Sequence, residues 1–311
     1  MGDLVLPAYI LFMALPRLRR PENVPGDFFV DSSCIDCDQC RQIAPESFSR
    51  IGEQAAVYSQ PSDRKTEFAA LKALVTCPTA SIGALGHHPV EDAVHAFPDL
   101  IQDEVYFCGY ASESSFGASS YLIVRSQGNV LVDSPRFAKP LVKNIEMLGG
   151  VRFIFLTHKD DVADHEQWAN HFGASRLMHN DDAGRLAGKI ENLIKGSDDV
   201  LFDEDLRIIP TPGHTRGHLV FPYRNQFLFT GDHLWWSPRF HSLHASRDVC
   251  WYSWPNQVQS VKRLQSYRFE WVLPGHGLRV NAPSEQMQEF LQECIGRIDL
   301  RGLKSALHNA G

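Results

Sequence analysis

The feature that most constrains this chain is a set of four cysteines in its first quarter. Cys34, Cys37 and Cys40 are separated by two residues each, and a distant Cys77 is followed by Pro78. In the C-x2-C-x2-C … C-P pattern the short gaps aim successive thiolates at neighbouring irons, and the distant cysteine supplies the fourth ligand. The spacing therefore predicts one [4Fe–4S] cluster.

The residues beyond this loop argue against a second cluster. A two-cluster ferredoxin carries a further cysteine and a proline just after the third cysteine, and this chain reads Ala44-Pro45 there. A zinc site usually has two separate C-x2-C pairs, which are absent from this pattern. Residues 26–84 resemble single-cluster bacterial-type ferredoxins. The resemblance implies a small α+β ferredoxin-like domain in which the four cysteines bind the cluster.

Size and charge restrict the partners. The chain has 311 residues, of which 43% are hydrophobic and 22% charged, a composition that suits about two globular domains. The net charge of −7 argues against a nucleic acid or a membrane surface as partner, since both require a basic face. The seven cysteines are an odd number, which suits a reducing compartment. We expect a cytoplasmic protein, or one of an organelle stroma in a eukaryote, with a small-molecule substrate and a redox donor protein as partners. The oligomeric state is left open.

The chain divides into four parts. The apolar run Leu4–Leu15 has no positive charge before it, and it is too short to span a bilayer, so neither a secretory signal nor an anchor is expected. We assign residues 1–25 as a flexible segment and residues 26–84 as the cluster domain. Residues 85–104 hold Gly86, Pro89 and Pro98 and are assigned as a linker with one short turn of helix. Residues 105–311 form the second domain.

Apolar strands alternate with helical segments throughout the second domain. This alternation predicts an α/β layered fold with functional residues in the loops at strand ends. The cluster domain is predicted to hold strands over 28–30 and 54–58 and a helix over 63–74. In the second domain the predicted strands cover 105–107, 120–124, 129–132, 151–156, 176–178, 206–209, 219–222, 226–229 and 271–273, with helices over 139–148 and 256–265.

Histidines and aspartates follow these strands in a regular order. A single histidine is more often structural, but repeated strand ends beside Gly, Pro or Thr bring imidazoles and carboxylates to one rim. Such a mixed set admits zinc, iron or manganese, and a shared carboxylate brings two ions within about 3.5–4 Å. We predict one or two divalent metal ions. The candidates are Asp133, His158, Asp160, Asp161, Asp164, His165, His214, His218, Asp232 and His276.

This order resembles the metallo-β-lactamase superfamily over residues 105–285. The resemblance implies an αββα sandwich with metals at one edge, between the sheets. The second motif of the superfamily is usually H-x-H-x-D-H, and residues 158–165 here read His-Lys-Asp-Asp-Val-Ala-Asp-His. We interpret this as loss of the middle histidine and lengthening of the loop by two residues.

The resemblance also implies roles at the first metal ion. His158 and His214 would bind it, and Asp160 or Asp161 would replace the missing imidazole. His218 belongs to the same turn as His214 and would support the site from outside the ligand shell.

Roles at the second ion follow in the same way. Asp164, His165 and His276 would bind it, and Asp232 would bridge the two ions. Asp133 would support the site and hold the turn. Asp232 and Asp164 are the residues assigned to catalysis.

Three functions fit this combination. The first is a hydrolase in which metal-bound hydroxide attacks an ester, thioester or related bond, and residues 211–218 resemble the glyoxalase II-type branch. The second is an oxidoreductase in which a non-haem iron or di-iron site receives electrons from the cluster. The third is a non-enzymatic electron-transfer or sensor protein. Trp235, Trp236, Trp251 and Tyr252 either line a substrate pocket or cover the sheet edge.

Replacing Cys77 by serine tests the cluster assignment. Cys77→Ser should abolish the visible absorption and destabilise residues 26–84, because so small a unit has little core of its own. Iron and acid-labile sulfide are the quantities to measure. An unchanged iron and sulfide content in Cys77→Ser would contradict the assignment.

Overall fold

The computed structural model describes residues 14–308, with side chains described for residues 14–298. Part of the segment assigned as flexible, residues 1–13, lies outside the described residues. Residues 14–25 differ from that assignment because they pack against the cluster domain. Arg20 is buried and its guanidinium donates to the carbonyl oxygens of Ala55 at 2.6 Å and Ile51 at 3.1 Å.

The cluster domain is built from short elements. Two antiparallel pairs, β1 with β4 and β2 with β3, surround one small core with the helices. Asp63 is the N-cap residue of the second helix, and its side chain accepts a hydrogen bond from Thr66 N at 2.8 Å. This capping box fixes the start of the helix. The elements are β1 (Phe28–Val30), α1 (Gln39–Ile43), β2 (Phe48–Ile51), β3 (Gln54–Val57), α2 (Arg64–Thr76), β4 (Ile82–Ala84) and α3 (Glu91–Val94).

The first sheet of the larger domain has the order β11-β10-β9-β8-β7-β6-β5 among the described residues. Strands β8 to β11 run parallel, and β5 to β8 are antiparallel. Parallel neighbours need crossover connections, so α4 and α5 cover one face of this sheet. Its elements are β5 (Asp99–Gln102), β6 (Val105–Phe107), β7 (Tyr121–Ile123), β8 (Val130–Val132), α4 (Lys139–Met147), β9 (Phe153–Phe155), α5 (His165–Phe172), β10 (Ser175–His179), α6 (Asn180–Ala183) and β11 (Asn192–Ile194).

The second sheet has the order β12-β13-β14-β15-β18-β19 in the described part of the chain. Strands β15 and β18 are parallel, the other pairs are antiparallel, and β16 and β17 form a separate hairpin. The elements are β12 (Val200–Leu201), β13 (Arg207–Pro210), β14 (Leu219–Tyr223), β15 (Phe227–Gly231), β16 (Trp235–Ser237), β17 (Ser242–His244), α7 (Trp254–Arg263), β18 (Trp271–Pro274), β19 (Val280–Asn281) and α8 (Ser284–His308).

The main core lies between the two sheets. The rings of Tyr121 and Phe229 have centroids 5.5 Å apart, and those of Phe155 and Phe221 are 5.1 Å apart. Helices α7 and α8 form a second core on the outer face of the second sheet, with Val261 packed there. The layers are therefore helices, sheet, sheet and helices, and the predicted αββα sandwich is confirmed.

The predicted strands and helices agree with the structure to within two residues at each end. In the linker, α3 agrees with the predicted short turn of helix, but residues 85–104 also contain the strand β5. Strand β5 pairs with β6, with Asp99 opposite Phe107, so it forms an edge of the first sheet. It was missed because only Leu100 and Ile101 are apolar and both are partly exposed. Between residues 14 and 308, no helix combines the length and apolar character needed to cross a membrane.

Asn23 joins the N-terminal segment to the strands β1 and β3 of the cluster domain. Its replacement tests how much this contact stabilises the domain. Its Oδ1 accepts from Val30 N at 2.9 Å and Val57 N at 3.0 Å, both buried. Asn23→Ala should lower the free energy of unfolding by about 2–6 kcal/mol, since two buried N–H groups each lose an acceptor at about 1–3 kcal/mol. The measurement is denaturant unfolding followed by cluster absorption. Asn281→Ala, which removes an exposed hydrogen bond to Glu270 O, is the control, and equal losses would contradict the role.

Candidate metal centres

The four cysteines predicted to bind the cluster line one recess, together with Val30, Ala55 and Ile82. Burial raises the pKa of the Cys37 thiol to about 12 and also raises that of Cys40. A thiolate at these positions therefore needs strong positive charge beside it, which the irons of a cluster supply. The recess and its donor atoms fit a [4Fe–4S] cluster.

Ion pairs stabilise the loop that carries the cysteines. Asp36 and Asp38 have φ of 59° and 73°, the left-handed region, and each turns the chain between two cysteines. Arg41 ion-pairs with both carboxylates, at 2.6 Å from Nη1 to Asp36 Oδ1. The backbone N–H of Asp36 donates to Cys34 Sγ at 3.5 Å. Such N–H donors to sulfur influence the reduction potential of a cluster.

The second candidate centre lies at one edge of the sandwich, where several strands of both sheets end. These strand ends meet because β8 and β9 of the first sheet face β13, β15 and β18 of the second across the core. Each side chain lies within four residues of a strand end: Asp133 after β8, His158 after β9, His214 after β13, Asp232 after β15 and His276 after β18.

One group of ligand atoms surrounds the first predicted ion. The Nε2 atoms of His158 and His214 each lie 3.7 Å from Asp232 Oδ2, and His214 Nε2 lies 3.8 Å from Asp160 Oδ2. These distances are too long for hydrogen bonds, but two ligands of one zinc ion lie about 3.4 Å apart. Both Nε2 atoms are buried and have no hydrogen-bond partner among the described residues. The donor set therefore fits a divalent cation.

A second group lies beside the first. Asp161 Oδ2 is 3.8 Å from His158 Nε2 and 3.9 Å from His276 Nδ1, and His276 Nδ1 is 2.9 Å from Asp232 Oδ1. Asp161 is 1% exposed, and neither carboxylate oxygen has a hydrogen-bond partner in the described chain. Burial first, then the charge of Asp232, raises the pKa of Asp161. A buried carboxylate without donors fits a cation.

A chain of hydrogen bonds orients His158. Asp133 Oδ1 accepts from Thr157 N at 2.8 Å, and the Thr157 hydroxyl donates to the same carboxylate. That hydroxyl accepts from His158 Nδ1 at 2.9 Å, which leaves Nε2 as the atom that faces Asp232. Burial lowers the pKa of His158 to about 3, so the ring is neutral at pH 7, as metal binding requires.

Backbone carbonyls orient the other two rings. Val249 O accepts from His214 Nδ1 at 2.5 Å, and Phe116 O accepts from His276 Nε2 at 3.3 Å. Burial lowers the pKa of His276, but the carboxylates of Asp232 and Asp161 outweigh burial and raise it to about 10. Without a cation His276 is thus protonated on both nitrogens, and a metal ion at Nδ1 would release that proton.

His218 and His233 lie behind the ligand groups. The His218 ring stacks on His158 with centroids 5.2 Å apart, and its Nδ1 lies 3.0 Å from Thr211 Oγ1. The His233 ring is 5.3 Å from that of His218 and is fully buried. His233 was not predicted, although its position next to Asp232 in the sequence was a usable signal.

Asp164 and His165 lie outside both groups. Asp164 Oδ2 accepts from Phe137 N at 2.7 Å, and His165 Nδ1 lies 3.5 Å from Arg176 Nη1. No contact of the described structure places these two side chains beside the donors of either group, and their binding of the second ion and the catalytic role of Asp164 remain predictions. The turn at Ala163 directs the chain into α5.

Asp161 stands in the second group where those two residues were expected. The superfamily motif, counted without an insertion, would place Val162 and Ala163 at its Asp-His positions. Neither side chain can bind a metal. We propose that the carboxylate of Asp161, one residue before the Asp position of the motif, takes the place of those ligands.

The aromatic residues near the metal-binding edge have two different surroundings. Trp251 is 65% exposed and its ring lies 6.2 Å from that of His214. Phe116 is 69% exposed, and its own backbone carbonyl contacts His276. Trp235 and Trp236 lie in β16 and pack against other rings at the sheet edge.

Comparison with known proteins supports the description of both the cluster domain and the sandwich domain. Residues 30–84 match the family described as the 4Fe-4S single cluster domain of Ferredoxin I. A crystal structure of the metallo-β-lactamase DIM-1 aligns with a TM-score of 0.50 at 17% identity, covering 64% of this chain and 95% of that one. The larger domain has the metallo-β-lactamase fold. The two resemblances read from the motifs are thus confirmed at the level of fold.

Sequence relatives of this two-domain protein are hydrolases. The hydroxyacylglutathione hydrolase of Pelagibacter ubique is 34% identical over 122 residues, 37% of this chain and 50% of that protein. The enzyme of the same name from Rhodospirillum rubrum is 31% identical over 119 residues, 37% of this chain and 46% of that protein. The chain spans about half the length of the curated relatives it matches.

The placement of Asp161 in the second group of donors can be tested by measuring how much metal two variants bind. Asp161→Asn should lose one of two bound ions, because it removes a buried charge that faces the cation. Asp164→Asn should retain both ions, since Asp164 only accepts a backbone hydrogen bond. Metal analysis of both variants, with the cluster iron subtracted, is the measurement. Ion loss in Asp164→Asn with none in Asp161→Asn would support the assignment of Asp164 to the second ion.

Proposed function

We propose that the sandwich domain is a metal-dependent hydrolase of ester-type bonds, with thioesters of small thiols as its first substrate class. The observation that carries the proposal is the position of Asp232, whose carboxylate faces His158 and His214 on one side and His276 on the other. A shared carboxylate of this kind is what a two-ion hydrolytic centre requires. Similarity to hydroxyacylglutathione hydrolases supports the choice of a thioester.

The proposed ligands follow from the two groups. His158, His214 and Asp160 would hold one ion, Asp161 and His276 the other, and Asp232 both. Bound divalent ions would polarise the substrate carbonyl and lower the pKa of a water molecule. Because three of the six donors are carboxylates, the site is harder than an all-imidazole one and accepts iron or manganese as well as zinc.

The contribution of the chain itself is to hold these donors rigid. The rings of His158, His214 and His276 are each fixed by an oxygen acceptor on the side away from the ligand groups. Fixed donors need no reorganisation during the reaction, which is the source of most electrostatic catalysis. Trp251 and Phe116 present exposed apolar surface beside two of these rings and would contact the acyl or thiol part of the substrate.

One observation favours the oxidoreductase as a second candidate. The backbone of Gly117 packs against Cys37 and the neighbouring Phe116 carbonyl contacts His276, so a cluster would lie close to the metal ligands. An enzyme that passes electrons from the cluster to a non-haem iron requires such proximity. Iron in the sandwich, in excess of that of the cluster, would favour this function, and zinc would favour hydrolysis.

Hydrolysis of a hydroxyacyl thioester of glutathione by the full, cluster-loaded chain is the direct test. Activity should disappear after chelation and return with zinc, manganese or ferrous iron. Asp232→Asn should lower kcat/KM by more than about 100-fold, beyond the about 10–100-fold typical of residues outside the ligand shell. Asp164→Asn should stay close to the unmodified protein. Undiminished activity after chelation, or in Asp232→Asn, would exclude the proposed mechanism.

A further inference from the structure

The cysteine loop and the metal-binding edge meet through one short segment, residues 115–119. Gly117 in this segment has φ of +80°, and a Cβ there would lie 2.3 Å from Cys37 Cβ and 2.9 Å from Cys37 Sγ. No side chain larger than a hydrogen atom fits such a position. The backbone of Gly117 thus touches a predicted cluster ligand directly.

Two glutamines of the cysteine loop fix this contact. Gln39 is 2% exposed, and its Nε2 donates to Gly117 O and to Ser119 Oγ, both at 2.9 Å. Gln42 Nε2 donates to Gly277 O at 2.9 Å, next to a metal ligand. The loop therefore cannot shift without disturbing the segment or the turn that carries His276.

The other side of the segment reaches the metal ligands. Phe116 O accepts from His276 Nε2 at 3.3 Å, and Ser119 N donates to Gly275 O at 2.7 Å. One peptide unit therefore separates the contact with Cys37 from the contact with His276. The path between the two centres consists of one van der Waals contact, one peptide and one hydrogen bond.

We propose that this segment couples the two centres, so that reduction of the cluster and metal binding in the sandwich favour each other. Reduction adds one electron, and hence one negative charge, to the cluster; no bond forms or breaks. The electron comes from a low-potential one-electron donor protein. A nearby cation stabilises that charge in a medium of low dielectric, and the polarised carbonyl of Phe116 transmits part of the effect through its hydrogen bond.

The effect is reciprocal by thermodynamic necessity. If a metal ion raises the reduction potential of the cluster, reduction must tighten metal binding by the same factor. The proposal rests on the metal site described above but not on its reaction. Its consequence for the proposed hydrolase is that metal occupancy follows the redox state of the cluster.

The test uses Zn²⁺ as a redox-inert probe on the full, cluster-loaded chain, prepared without oxygen and stripped of the sandwich metal by chelation. Zn²⁺ affinity is measured with the cluster oxidised and after reduction by dithionite. The midpoint potential is measured by electron paramagnetic resonance with and without Zn²⁺. We expect at least about fivefold tighter Zn²⁺ binding to the reduced protein, the lower end of typical couplings. The matching rise in potential is about 40 mV, since tenfold corresponds to about 59 mV for one electron.

Variants locate the coupling in the segment. Gln39→Ala removes both hydrogen bonds that tie the segment to Gln39 of the cysteine loop and should lose most of the shift, and Ser119→Ala removes one of the two and should lose part of it. Gln54→Ala is the matched control, because Gln54 Nε2 also donates to a carbonyl of this loop, that of Cys34, at 2.5 Å. Ser119→Ala decides the matter if Gln39→Ala does not assemble its cluster.

The outcomes separate this proposal from the proposed function. A potential that does not respond to Zn²⁺ overturns the coupling, and so does a full shift in both Gln39→Ala and Ser119→Ala. A chain that hydrolyses thioesters but shows no shift contradicts only the coupling. A chain that shows the shift but has no hydrolase activity contradicts only the proposed reaction.

Discussion

The carboxylate of Asp232 is the group on which the metal-binding edge depends. Burial opposes its ionisation, but the imidazoles of His276, His158 and His214 hold its pKa well below the usual range. Gly231 makes this position accessible: its φ is +47°, and a Cβ there would lie 2.7 Å from Thr157 Oγ1. The chain thus turns sharply at the end of β15. This turn places the carboxylate of Asp232 between the two groups of donor atoms, which come from both sheets.

The balance of imidazole and carboxylate distinguishes this edge chemically. Asp161 is buried, and neither of its carboxylate oxygens has a hydrogen-bond partner in the described structure, so its charged form is unfavourable unless a cation lies beside it. Asp160 is partly exposed and its Oδ2 lies 3.8 Å from His214 Nε2. Two carboxylates in adjacent positions make the centre both more negative and harder than a set of imidazoles. Which metal ion binds this set of donors therefore decides between the two candidate functions, hydrolysis and redox chemistry.

The two domains act as one packed unit in this region. Gln39 and Gln42 donate across the boundary, and Arg136 Nη2 donates to Val75 O at 3.3 Å. The face of the cysteine loop that carries Gln39 is consequently buried against the metal-binding edge. Gly117 packs against a predicted cluster ligand at this boundary, and this is the contact through which we propose that the two centres communicate.

The sequence by itself determined the cysteines of the cluster and the α/β layering, because these follow from local spacing and from hydrophobic alternation. The αββα order followed from the resemblance of the histidine and aspartate motifs to the metallo-β-lactamase superfamily. The sequence could not decide which acid of residues 160–165 reaches the second group. That choice depends on the turn at Ala163, where Ala163 N donates to Ser115 Oγ, and on Asp164 accepting from Phe137 N. These partners are distant in sequence, as is the contact between Gly117 and the cysteine loop. Only the packed tertiary structure brings them together.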